Sequence, residues 1–161
     1  MPLSPATNRR IVRASAIYDL VVTVPFATPW TFALASAQLS ALNVALGGAP
    51  LPAFAPFHLL FACLMGSIVL VWSTLRIQAP TQRLGRFDGS ARFLFSLWMA
   101  WCLAQTGAPL LWLFVVPEFA WGVAQWWPVR SADGGNGQRY NGVLPGLDQH
   151  ADHRTHRAVR T

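Results

Sequence analysis

Two acidic residues stand inside otherwise apolar sequence, and they are where chemistry would concentrate. Asp19 is the last charged residue before Arg76, and Glu118 is the first after Arg92. An ionised side chain in hydrocarbon costs at least about 2.5 kcal/mol, so each needs a partner, a proton or a task. Asp19 has Tyr18 beside it and Thr23 one helical turn on; Arg13, Arg76 and Arg92 lie at a similar depth or just below, and Arg76 and Arg92 are its candidate structural ion-pair partners. Glu118, Trp121 and Gln125 recur at helical spacing and form a stripe that must face protein or a cavity. No arginine is expected at the depth of Glu118, which makes it the leading candidate for binding a proton or ligand.

The remaining candidates are weaker. His58 follows Pro56 at the edge of an apolar run, where a histidine can be a ligand but is more often an ordinary hydrogen-bonding residue. Trp98 and Trp101 are suited to lining a hydrophobic ligand pocket, together with Trp121. Cys63 and Cys102 fall at one depth and can meet as a pair, although independent buried thiols are the simpler reading. His58 is the one histidine within the apolar runs, which argues against a transmembrane haem. His150, Asp152, His153 and His156 form a loose group without a folded frame, so no physiological metal site and no cofactor is expected. Nucleophile-elbow, phosphate-loop and His-Glu-x-x-His motifs are all missing from the sequence. An enzyme would have to act on lipid or quinone with Asp19, Glu118, His58 and arginines.

The elements that must position these residues follow from composition. Charged residues make up 11% of the chain and hydrophobic ones 53%, against about 25% charged in a soluble domain. Four long apolar stretches stand out: Ala14 to Ala37, Phe57 to Ile77, Ala91 to Gly107 and Ala108 to Trp127. About 20 residues of helix cross a hydrocarbon core, and the runs are continuous where a barrel would alternate. The expectation is an all-α polytopic membrane protein, a four-transmembrane-helix bundle over 14–127. A basic cytoplasmic N-terminus over 1–13 precedes it, and a disordered polar cytoplasmic tail over 128–161 follows. Pro25 and Pro29 predict a kink in the first span. Residues 39–46 can form a short helix on the outer surface, Thr106-Gly107-Ala108-Pro109 reads as a tight turn, and Asp88-Gly89 reads as a loop turn with Asp88 or Ser90 capping the third helix.

Every basic residue is an arginine, twelve in all. They cluster before the first span, around the second connection and after the fourth span, which places both termini and the middle loop on the cytoplasmic side. Trp126 and Trp127 mark the interface there. Arginines so placed suit topology and anionic headgroups, not nucleic acid. A cleaved signal peptide is the rival reading of the first stretch, but Asp19 and two prolines interrupt it.

The basic entry to the first span (Arg9, Arg10, Arg13), the compact second span and the Arg86-Phe87-Asp88-Gly89 segment before the third resemble the DoxX-like group of small bacterial inner-membrane proteins. The resemblance covers residues 9–127 and rests on layout. It implies a four-helix inner-membrane bundle of undefined biochemical role and transfers no catalytic residue.

Three functions are compatible with these features. The first is a non-catalytic accessory or partner-binding subunit, using the small-residue face Ala62, Gly66 and Ser73 to meet a membrane-protein partner or a second copy. The second is a small proton-coupled transporter or hydrophobic-ligand-binding protein built on Glu118. The third is the lipid or quinone enzyme. The lack of a catalytic constellation ranks the enzyme last.

Overall fold

A computed structural model describes residues 1–130. All of its regular elements are helical: α1 (Pro5–Thr23), α2 (Pro29–Ala45), α3 (Pro56–Gln78), α4 (Gln82–Thr106) and α5 (Trp112–Trp126), with 3₁₀ turns at Val24–Phe26 and Pro109–Leu111. The expectation for a disordered tail, and the group around His150, concern residues beyond 130 and lie outside the described ones.

Local chemistry sets the boundaries. Ser4, Thr28 and Thr81 cap α1, α2 and α4 by accepting from the amides of Thr7, Thr31 and Leu84. Pro5, Pro29 and Pro56 occupy first-turn positions, where a missing N–H costs nothing. Gly107 ends α4 at φ 62°, in left-handed space that suits glycine. The turn expected at Thr106 to Pro109 is therefore present.

The first apolar stretch departs from expectation. It is not one kinked span: α1 and its 3₁₀ extension meet α2 at 101°. Thr28-Pro29 is an N-cap and first-turn proline that start a new helix, which runs through the segment 39–46 expected to stand alone. The second stretch matches α3, among the described residues the one helix that by itself is long and apolar enough to cross a membrane; the bent α1–α2 pair passes only as a unit.

The middle loop is also largely helix. Asp88 and Gly89 sit well inside α4, and Thr81, not Asp88 or Ser90, provides the cap. Gly85 and Gly89 act in packing, not in a turn. A β-carbon on Gly85 would lie 2.5 Å from Val12 Cγ2, and one on Gly89 2.7 Å from Trp126 Cδ1. The two glycines let α4 approach α1 and α5 closely.

The segment before α1 meets the segment after α5. Leu3 pairs with Val129 in an isolated parallel bridge, and Leu3 exchanges backbone hydrogen bonds with Pro128 and Arg130. Residues 128–130 are thus ordered against the N-terminus, and the helix of the basic N-terminal segment begins at Pro5.

Side-chain burial is inverted relative to a water-soluble protein. The buried hydrophobic residues are Val12, Ala16, Phe32 and Leu110, whereas Asn8, Ser15, Asp19, Asn43, Ser73, Arg76, Asp88, Arg92, Ser96 and Gln125 are buried polar ones. Phe57, Val71, Trp98 and Trp101 are 60–74% exposed.

Candidate functional site

Four helices contribute to one buried cluster of charge. Asp19 comes from the end of α1, Arg76 from the last turn of α3, Asp88 and Arg92 from successive turns of α4, and Glu118 and Gln125 from α5. Asp88 and Arg92 are four apart, so one helix face presents both.

The arginines hold the cluster together. Arg92 donates from Nε to Asp88 at 2.9 Å, from one terminal nitrogen to Asp19 at 2.6 Å and from the other to Glu118 at 2.7 Å. One planar guanidinium thus joins carboxylates on three helices, which a single ammonium group could not do in that geometry. Arg76 donates to Asp88 at 2.5 Å and also to Asp19. The two arginine side chains are 0% and 2% exposed, and the three carboxylates between 6% and 14%.

Neutral groups complete the shell. Gln125 donates its amide to Asp88 at 2.8 Å and to Ser15 at 2.5 Å, and Trp72 donates its indole N–H to Asp88 at 2.9 Å. Arg76 lies 5.7 Å from the Trp72 ring centre, and Arg92 lies 5.9 Å from that of Tyr18, which packs on Trp121. Each guanidinium is therefore flanked by an aromatic face. Two arginines face three carboxylates, so the fully ionised cluster carries one surplus negative charge. Gln125 Oε1 and Arg76 Nε have no hydrogen-bond partner among the described residues.

The structure gathers some of the sequence candidates and scatters others. Asp19, Arg76, Arg92, Glu118 and Gln125 are brought together, with Trp121 at the edge. Glu118 is not isolated from arginine, as its position in the fourth stretch had implied: α4 begins nine residues before the third stretch does, and this carries Arg92 into the bundle beside α5. Trp98, Trp101 and His58 are exposed, so the pocket expected at the tryptophans is not formed there. Gly66 and Ser73 of the small-residue face point into the protein. A β-carbon on Gly66 would lie 2.7 Å from Phe26 O, and Ser73 Oγ accepts from Arg76. At Gly66 and Ser73 that face is occupied by the chain itself. Cys63 and Cys102 are free thiols, and no metal-holding group of three ligands occurs among the described residues.

Asp88 is the residue that sequence reasoning missed, with Ser15, Ser73 and Trp72 around it. Its signal was available: an acid four residues before Arg92, in a segment whose two glycines are also four apart. The neighbouring Gly89 made it read as a turn.

No family model, curated protein or solved structure matches this chain. The layout resemblance to DoxX-like proteins therefore assigns no family.

Proposed function

We propose that this is a small multi-pass protein of the bacterial inner membrane, non-catalytic, which acts by binding a partner within the bilayer. The observation that supports the membrane setting is the inverted distribution of side chains: a paired ion cluster at the centre and large apolar residues outside. In water, exposed Phe57, Val71, Trp98 and Trp101 would drive association; in lipid they are at home. The cluster acts as a clamp, because breaking any of its pairs would strand charge in a region of low dielectric.

In this reading α1, α3, α4 and α5 cross and α2 lies at the outer surface after its 101° turn; α3 is long and apolar enough by itself, and the bent α1–α2 pair passes as a unit. The pairing of Leu3 with Val129 keeps the residues before α1 and after α5 on one side, which supports an even number of crossings between them. The 15 residues of α5 rise about 22 Å, and the 3₁₀ turn before them adds about 6 Å, close to the ~30 Å of a hydrocarbon core. The arginines before α1 and after α5 support a cytoplasmic location for that side.

The test is topology together with composition. Alkaline phosphatase fused within residues 47–54 should be active and the same enzyme fused after Arg130 inactive; the reverse pattern removes the reading. Native mass spectrometry of the protein released gently from its membrane should show a stoichiometric partner chain.

A second reading rests on the surplus negative charge: the cluster binds one proton, with Glu118 as its least shielded member, and couples it to transport. An infrared band of a protonated carboxyl that vanishes in Glu118→Gln supports this reading. A spectrum without such a band removes it.

A further inference from the structure

Outside the ion cluster, the first turns of α4 form a groove of about 470 Å³, lined by Gln82, Arg83, Arg86, Phe87, Ser90 and Trp126. Its volume falls within the roughly 300–1,000 Å³ of small-molecule sites. Trp126 forms part of the wall because Gly89 leaves room for its indole, with 2.7 Å between Cδ1 and the place a β-carbon would take. Arg86 lies 5.8 Å from the Trp126 ring centre, and Arg83 lies 5.9 Å from that of Phe87. The ion pairs among the described residues use Arg76 and Arg92 alone, so these two guanidiniums face the groove without a carboxylate.

The groove has an apolar continuation. Phe87, Leu94, Trp98 and Trp101 recur at helical intervals along α4 and are 55–61% exposed. A paired-arginine groove at one end of a helix and an apolar track along the same face match an amphiphile with an anionic head. Free phosphate would use the groove and ignore the track.

We propose that this groove binds the phosphate headgroup of an anionic phospholipid whose acyl chain lies along Leu94, Trp98 and Trp101. The inference rests on the membrane reading above. Arginine is suited to the task, since its fork matches phosphate oxygens in pairs and its plane stacks on aromatic rings.

The experiment is native mass spectrometry of the full chain in neutral detergent, titrated separately with phosphatidylglycerol, phosphatidylcholine and inorganic phosphate. A discrete phosphatidylglycerol adduct is expected, preferred over phosphatidylcholine and undisturbed by millimolar phosphate. Each basic residue near a lipid surface contributes about fivefold in affinity. Arg83→Gln and Arg86→Gln together should therefore weaken the adduct about 25-fold, and each alone about fivefold should the double variant misfold. Arg9→Gln with Arg10→Gln, which alters exposed arginines elsewhere, should leave it unchanged. Equal loss in both double variants, no preference between the lipids, or displacement by phosphate would overturn the proposal. Alkaline carbonate extraction separates the two levels: release of the native chain sinks the membrane reading, whereas retention with no adduct sinks the lipid site alone.

Discussion

Replacing Arg92 with methionine removes the guanidinium that joins Asp19, Asp88 and Glu118. The side chain is 2% exposed and makes hydrogen bonds of 2.6, 2.7 and 2.9 Å to the three carboxylates. Its loss leaves Asp19 and Asp88 with Arg76 alone and Glu118 with no cation, so the surplus negative charge grows from one to two. Breaking a buried pair from one side costs about 3–5 kcal/mol, since the stranded charge keeps its desolvation penalty. The assay is unfolding in dodecylmaltoside and sodium dodecyl sulfate mixed micelles, followed by helical circular dichroism. Arg92→Lys should lose less than Arg92→Met, but a measurable amount, because a compact ammonium lacks the planar fork whose separate nitrogens reach the three carboxylates. Adding Glu118→Gln to Arg92→Met should recover about 1–2 kcal/mol, as residues of one network are not additive. A loss below about 1 kcal/mol for Arg92→Met would refute the clamp, as would a loss for Glu118→Gln alone that equals it.

Two further outcomes can be checked by the same unfolding assay and a third by hydrogen exchange. Trp72→Phe deletes the indole N–H that Asp88 accepts at 2.9 Å, and should cost about 1.5–3 kcal/mol, as for a hydrogen bond to a charged group. Gly66→Ala puts a methyl 2.7 Å from the backbone oxygen of Phe26; backbone cannot move aside as a side chain can, so a loss of about 1–3 kcal/mol is expected. Asn43→Leu removes a donor to Ala49 O and an acceptor for Leu110 N. It should loosen the α4–α5 turn, read as faster hydrogen exchange at Leu110, and unchanged exchange there would show that the tie is dispensable.

Helix type, the extent of α3 and the turn at Gly107 were readable from the chain because each depends on local chemistry: an unbroken apolar run, or a glycine that can take positive φ. Asp19 was marked for Arg76 and Arg92 because an acid amid apolar residues needs a partner. Local signals failed where two structures share one cue. Thr28-Pro29 reads as a kink inside a span or as the start of a new helix, and Asp88-Gly89 reads as a turn or as part of a glycine-spaced helix face. Only neighbours decide between such readings. Phe26 against Gly66 fixes the corner between α1 and α2, and Val12 and Trp126 fill the notches at Gly85 and Gly89.

The sequence by itself determined that the chain is helical, that its charges are segregated, and that the few acids among its apolar runs must be compensated. Composition and the cost of stranded charge dictate those points before any folding. Which arginine serves which acid was decided by tertiary structure. The extra helical turns at the start of α4 bring Arg92 between α1 and α5, and so gather Glu118 into a cluster that its own span gave no reason to expect. Charge pairing depends on distance through space, and helices that lie far apart along the chain set that distance only when they pack.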